Sequence, residues 1–340
     1  MADELELLRR ANPVPDDAPH FADGPLDGRA EHRLQRLLNE PRPGRRFRPL
    51  PASAGRTGRA RLVWGLAATA VVLVIAVNAV LGDPGTSRAV AAPRPLTVHA
   101  ASAPVPLRDM VALADAAAAA GSPGPRKGTH VQSWSLGMSD GKPPVTLPEE
   151  RVVRWRADAS HTELVVATDP RRPSRPVLTD EGGEPHLVAD GHVISRTTYP
   201  PMWSDAPPEA PPPHTAARLR VYLTEIARTQ ADRGTAALST AELLDAVAEL
   251  LGHWTLGARE SAAVVRLFAG TGGLRPAGEV TDRLGRPGHA YVYDARGVRH
   301  MLILEPRTGA VLGMEDTFTE DAPEYGVKAG AVMGYSAWMR

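Results

Sequence analysis

The chain has 340 residues, a formal net charge of zero and an isoelectric point near 7.2. A neutral chain lacks the basic footprint of nucleic-acid binding, so we expect no nucleic-acid partner. The absence of cysteine excludes disulfides, cysteine nucleophiles and thiolate metal sites. With 33 prolines, 31 glycines and 5% aromatic residues, the composition predicts long Pro-rich connections around a modest core.

Residues 1–61 contain two short helical patterns and a linker rich in arginine and proline. The first pattern, Glu4–Ala11, runs into Asn12-Pro13-Val14-Pro15, which stops it. The second begins near Asp27 as N-cap and ends at Pro41. Two interpretations stay open: a partly disordered tail, or a peptide that folds on a cytoplasmic protein. The apolar side chains available to such a partner are Leu5, Leu7, Leu8, Leu34, Leu37 and Leu38.

Residues 62–81 form an unbroken apolar run of 20 residues without a charged side chain. As an α-helix, 20 residues extend about 30 Å, the thickness of the hydrocarbon core of a bilayer. The run therefore predicts one transmembrane helix. The large apolar residues that mark the span are Leu62, Trp64, Leu66, Val71, Leu73, Ile75, Val80 and Leu81.

Charge is distributed unequally around this run. Residues 42–61 hold seven arginines and no acidic residue, whereas residues 82–101 hold two arginines and one aspartate. Because positive charge stays on the cytoplasmic side, we expect the N-terminus inside and residues 82–340 outside the cell membrane. The residues that set this orientation are Arg45, Arg46, Arg48, Arg56, Arg59 and Arg61. Cleavage after Ala89-Val90-Ala91 is the alternative, although the basic start and the apolar core are long for a signal peptide.

Outside the membrane, residues 82–106 are rich in proline and alanine and predict an extended stalk. Residues 107–340 then predict a folded extracytoplasmic domain. Helical patterns cover Leu107–Ala120, Thr215–Arg233, Ser239–Leu251 and Arg259–Ala269, the last ended by Gly270. The third opens with Ser239-Thr240-Ala241-Glu242, which predicts a capping box.

Strand patterns alternate with turn sequences on both sides of the last three helices. Asp190-Gly191, Asp294-Ala295-Arg296-Gly297 and Pro306-Arg307-Thr308-Gly309 predict turns, with glycine where a positive φ is needed. Pro200–Pro213 predicts a surface loop. We expect an α+β domain with an antiparallel sheet and packed helices. The strands are predicted at Thr129–Met138, Arg151–Ala157, Glu163–Thr168, one or two within Pro185–Tyr199, His289–Tyr293, Val298–Leu304, Ala310–Gly313, and an edge strand within Gly330–Met339.

Three stretches have a familiar sequence: LLRRANPVP at Leu7–Pro15, GEVTDRLGRPGHAYVY at Gly278–Tyr293, and LILEPRTGAVLG at Leu302–Gly313. Together with a central span, they make the chain resemble a family of actinobacterial single-pass membrane proteins of uncharacterised function. Genes of that family often lie beside genes for extracytoplasmic-function sigma factors, so the resemblance implies a sigma-factor regulator. It carries no catalytic residues. The chain differs from anti-sigma proteins with a zinc-binding domain, because it has no cysteine.

No familiar catalytic motif occurs in the sequence: there is no Gly-x-Ser-x-Gly elbow, His-Glu-x-x-His helix or Walker loop. The eleven histidines have no zinc-motif spacing. We therefore expect a protein that is not an enzyme, without catalytic residues, cofactor or metal site. Asp282, Arg283, Arg286 and Asp294 predict turn capping and surface ion pairs worth less than about 1 kcal/mol each.

Trp134 and Trp155 fall on neighbouring predicted strands, where they anchor the core or, alternatively, line a concave sheet that contacts an apolar or lipid ligand. The function we expect is that of a membrane-anchored regulator or sensor. Such a protein couples its outer domain to a cytoplasmic partner such as a sigma factor. The alternative is an extracellular binding or envelope-maintenance module for which one helix is only an anchor.

Overall fold

The computed structural model of the protein describes residues 92–138, 143–201, 210–230 and 237–339. The predicted tail, the predicted span at 62–81 and the first part of the predicted stalk lie outside these residues. Within the described ranges, no helix has both the length and the apolar character that a bilayer crossing requires. The described residues form an α+β domain in which helices lie on an antiparallel sheet.

Four helices lie in the described part of the chain, at the places where the sequence predicts them: α1 at Leu107–Ala119, α2 at Ala216–Gln230, α3 at Thr240–His253 and α4 at Ala258–Thr271. The capping box of α3 is confirmed. The Ser239 hydroxyl accepts from the Glu242 N–H, and the Glu242 carboxylate accepts from the Ser239 N–H at 2.7 Å. Helix α4 continues through Gly270, and Gly272, with a φ of 80°, ends it instead.

The twelve strands of the described residues include three that the sequence did not predict, β4, β7 and β8. Strand β8 contains Pro276 and Gly278, which interrupt the alternation by which strands are predicted. The strand bounds are β1 Arg126–Gly137, β2 Val145–Trp155, β3 His161–Ala167, β4 Val177–Thr179, β5 His186–Val188, β6 His192–Tyr199, β7 Trp254–Thr255, β8 Arg275–Thr281, β9 Pro287–Ala295, β10 Val298–Leu304, β11 Val311–Phe318 and β12 Val332–Trp338.

The main sheet has the order β6-β3-β2-β1-β12-β11-β10-β9-β8, and its neighbouring strands are antiparallel. The predicted edge position of the last strand is therefore wrong. Strand β12 lies in the middle, paired with β1 from Val131↔Trp338 to Ser135↔Gly334 and with β11 on its other side. The physical reason is that β12 carries apolar side chains for both faces of the sheet, as a central strand must.

Each face of the sheet has its own hydrophobic core. On the face that we call the helix face, Leu302, Leu304 and Tyr291 pack against the four helices. On the opposite side, which we call the back face, Trp134, Ile303 and Tyr335 belong to a second cluster of buried side chains. Burial of one such large side chain contributes about 1.5–3 kcal/mol. Strand β12 contributes to both cores, because Trp338 lies in the helix-face core and Tyr335 lies in the back-face core.

Trp134 and Trp155 lie on the neighbouring strands β1 and β2, as predicted, but Trp134 is opposite Pro148 and not Trp155. Trp134 is 1% exposed, in contact with Tyr335 in the back-face core. Trp155 is half-buried at the end of β2, where its ring stacks on His161 with centroids 4.1 Å apart. His161 in turn stacks on Tyr199. Strands β2, β3 and β6 thus carry a ladder of rings, because these residues are direct cross-strand neighbours.

Gly309 offers a test of the packing between the sheet and the helices. Its φ is 65°, and an added Cβ would lie 2.9 Å from side-chain atoms of both Ala114 and Val265. We expect Gly309→Ala to lower the free energy of unfolding by about 1–2 kcal/mol for the positive φ and about 1–3 kcal/mol more for overpacking. Urea titration monitored by tryptophan fluorescence measures this loss.

Gly191→Ala is the matched control. Gly191 has a φ of 85°, and a methyl group added there would have nothing within 4 Å, so that variant carries the backbone strain alone. Equal losses in the two variants would contradict the close contact of the Gly309 turn with α1 and α4.

Candidate functional site

The residues that the sequence analysis assigned to membrane, topology and partner binding all lie outside the described residues. This holds for the span residues Leu62–Leu81, the arginines from Arg45 to Arg61, and the leucines from Leu5 to Leu38. Their assignments stay predictions. Within the described residues, a site with buried charged groups lies where residues 92–102 of the predicted stalk contact the main sheet.

Residues 92–102, which we call the strap, run without regular secondary structure along β8 and the back face. Leu96 and Val98 pack against the back-face core, whereas Thr97 between them is exposed. The His99 N–H donates to the Glu279 carbonyl at 2.8 Å, and the Glu279 N–H donates to the Ser102 hydroxyl at 2.8 Å. The strap therefore covers backbone groups that β8, an edge strand, would otherwise leave unpaired.

Gly278 makes this close approach possible. Its φ is 132°, and an added Cβ would lie 2.6 Å from the Ser102 hydroxyl and 2.7 Å from a Val98 methyl. A side chain at this position would push the strap off β8. Gly278 opens the stretch GEVTDRLGRPGHAYVY, so the structure supplies a physical role for the first residue of that stretch.

A buried ion pair fixes the N-terminal half of the strap. The Glu315 carboxylate on β11 accepts from the Leu96 N–H at 2.8 Å and from the Arg283 guanidinium. Arg283 also donates to the Arg94 carbonyl at 3.0 Å, and its guanidinium lies 5.0 Å from the centre of the Tyr335 ring. The side chains of Arg283 and Glu315 are 5% and 1% exposed. Both partners of the pair thus bind the strap backbone with charge-assisted hydrogen bonds.

The buried Arg283–Glu315 pair positions the strap more than it stabilises the fold. Burial raises the pKa of Glu315, and the neighbouring Arg283 charge opposes that shift without cancelling it. The carboxylate therefore loses more by leaving water than it regains from its partner. Removal of one partner is still costly, because it strands the other charge in the interior. We conclude that the pair specifies where the strap lies.

A second ion pair fixes the corner that presents Arg283. The Asp282 carboxylate accepts from the Leu284 and Arg286 N–H groups at 2.9 and 2.8 Å and from the Arg286 guanidinium. Arg286 also donates to the carbonyls of Trp338 and Leu312 at 2.7 and 2.8 Å. The turn between β8 and β9 is therefore tied to β12 and β11.

The prediction of surface ion pairs in this hairpin needs correction. Asp294 does lie near the surface, where it pairs with Arg275 and Arg299. The side chain of Asp282 is 0% exposed, however, and Arg283 is also buried. The reason is that β11 and β12 lie beside the turn between β8 and β9. The side chains of this turn are therefore buried at the back-face core.

The sequence analysis did not single out Glu315. Its partners Arg283 and Leu96 lie 32 and 219 positions away in the chain, so no local pattern could have indicated the contact. Glu315 also lies just beyond the predicted strand Ala310–Gly313 and next to Asp316, so the strand prediction did not indicate its burial. In the residues that the structure describes, no three His, Asp or Glu side chains are grouped as a metal ion would need.

Comparison of the chain with protein families, with curated proteins and with solved structures finds no match. The site is a segment whose backbone is bound to the sheet by the buried Arg283–Glu315 pair. The adjoining Asp282–Arg286 pair fixes the turn that carries Arg283.

Loss of the Glu315 charge should loosen the strap. We expect Glu315→Gln to lower the free energy of unfolding and to speed modification of a thiol introduced by Leu96→Cys, because Arg283 then lacks a counter-charge. The natural chain has no cysteine, so the introduced thiol is the single reactive one. Maleimide labelling of the full-length protein below its unfolding transition measures the exposure of the strap.

Asp321→Asn is the matched control for that experiment. Asp321 pairs with Lys328 at 2.8 Å, but both side chains are about half exposed. A pair in that setting contributes only about 0–1 kcal/mol, so the labelling rate should stay at the wild-type value. If Glu315→Gln behaved like this control, the buried pair would have no part in holding the strap.

Proposed function

We propose that the chain is a non-enzymatic, membrane-anchored regulator or sensor with one span at residues 62–81. Residues 1–61 lie in the cytoplasm in this proposal, and the α+β domain lies outside the cell. The tail binds a cytoplasmic protein such as a sigma factor, and the domain binds an extracytoplasmic ligand or partner, with an apolar ligand as one candidate. The observation that carries the proposal is the strap, because only residues 82–91 separate it from the predicted span.

The strap supports coupling between the domain and the membrane because its position depends on the sheet. It is held by β8 through Glu279, by β11 through Glu315, and by the turn through Arg283. A ligand that binds the domain more tightly in one arrangement of these strands shifts the population of docked straps. The shift can be no larger than the difference in its affinity for the two arrangements.

The charged groups of the site support a role without catalysis. Asp282 accepts hydrogen bonds within the turn, and Arg286 donates to backbone carbonyls. Glu315 and Arg283 form hydrogen bonds with the backbone of the strap. Each carboxylate is thus committed to backbone N–H groups and a guanidinium. Such groups position a segment of the chain rather than a substrate.

Single-cysteine variants test the proposed topology. Ala217→Cys places a thiol on an exposed position of α2, and Ala11→Cys places one in the tail. In intact cells, a membrane-impermeant maleimide should label the first variant, and the second only after permeabilisation. The reverse pattern, or recovery of both proteins outside the membrane fraction, would overturn the proposed arrangement.

Co-purification tests the proposed partner. Residues 1–41 are replaced by an unrelated sequence, while the arginines of residues 42–61 are retained to preserve orientation. We expect mass spectrometry to find a cytoplasmic protein, with a sigma factor as the leading candidate, with the full-length protein but not with the replacement. The same partners in both samples would instead favour an outer binding or envelope-maintenance module.

A further inference from the structure

The strap shows how the domain recognises an extended segment of polypeptide. The buried ion pair binds it through backbone groups, the Leu96 N–H and the Arg94 carbonyl, which are independent of the side chains at those positions. Leu96 and Val98 pack against the back-face core, whereas Thr97 between them is exposed. Because alternate side chains of an extended chain point to the same side, the groove fits a segment with apolar residues two positions apart.

The groove side of this contact is held by the domain itself. Arg283 lies against the Tyr335 ring of β12, and Arg286 ties the turn to the carbonyls of β11 and β12. Glu315 belongs to β11, inside the main sheet. These contacts do not involve the strap, so we expect the groove to keep its shape when the strap leaves. A groove that is already ordered binds a segment at a lower entropic cost.

The strap pairs incompletely with the edge of β8. The Ser102 N–H donates to the His99 carbonyl at 3.0 Å, so the strap turns at Ala100 and Ala101 instead of continuing along β8. The Glu279 N–H donates to the Ser102 hydroxyl, where a paired strand would offer a backbone carbonyl. Among the described residues, Glu279 is the one member of β8 whose backbone is hydrogen-bonded to the strap. A segment that stays extended past this point can form further ladder bonds with β8.

We propose that this groove and the β8 edge form a binding site for an extended segment of another protein, which carries apolar side chains two positions apart, displaces the strap and adds a strand to β8. The strap competes from a high effective concentration, so a segment replaces it by pairing more fully with β8. The strap of a second copy lacks that advantage, because its sequence is the same. The inference rests on the proposed function, since it names the ligand class of the outer domain.

Peptides added to the full-length protein test this site without any change in the groove. One peptide has the strap sequence, residues 94–102. The extended peptide carries Ala100→Val, Ala101→Thr and Ser102→Val, which favour a strand. Fluorescence anisotropy should show the extended peptide bound at least about tenfold more tightly, the gain expected from two further backbone hydrogen bonds. In the Leu96→Cys protein, it should also speed maleimide labelling of the strap thiol, because the strap is displaced.

Leu96→Asp and Thr97→Asp versions of the extended peptide are a matched pair. The first places a charge in the apolar contact and should lose binding, whereas the second places the same charge at the exposed position and should bind as before. Equal binding of these two peptides, binding that leaves the labelling rate unchanged, or no saturable binding of the extended peptide would each overturn the proposal.

Two other outcomes have distinct meanings. If the strap peptide bound as tightly as the extended one, a second copy would be the occupant, and the assignment to another protein would be wrong. The peptide measurements do not depend on which side of a membrane the domain lies. They can therefore fail while the labelling of Ala217→Cys and Ala11→Cys supports the proposed topology, and the reverse also holds.

Discussion

The pairing of β12 with β1 is the contact on which the described domain depends. In the strand order of the main sheet, it is the only pairing that joins β6-β3-β2-β1 to β12-β11-β10-β9-β8. Strand β12 also places Tyr335 in one core and Trp338 in the other. Because its partners Val131 and Trp338 are about 200 residues apart, the sheet closes only after a large loop is ordered.

The strap site is built on the same strand. The Arg283 guanidinium lies against the Tyr335 ring, and Arg286 binds the Trp338 carbonyl, so both arginines of the turn are placed by β12. Glu315 comes from β11, the neighbour of β12. The position of the strap is therefore a consequence of sheet closure at the middle, several strands away from the edge that the strap covers. This dependence is the physical basis of the proposed coupling between the domain and the segment that follows the predicted span.

Local features of the fold could be predicted from the sequence, and non-local ones could not. The capping box at Ser239 and the bounds of β10 at Val298–Leu304 follow from short-range patterns. The central place of β12 depends on pairing with β1, which no local pattern records. The Arg283–Glu315 pair has the same origin, since a surface turn and a strand residue become buried only when the sheet assembles. The span and its flanking arginines stay predictions from composition.

The proposed coupling requires that the strap stay bound to the domain in the full-length protein. Hydrogen exchange at the Leu96 and His99 amides measures this most directly, because these two groups donate to Glu315 and to the Glu279 carbonyl. Both amides should exchange far more slowly than those of an unstructured peptide, as should the amides of β11. Exchange at the unstructured rate, while β11 stays protected, would show that the strap is free and would contradict the account.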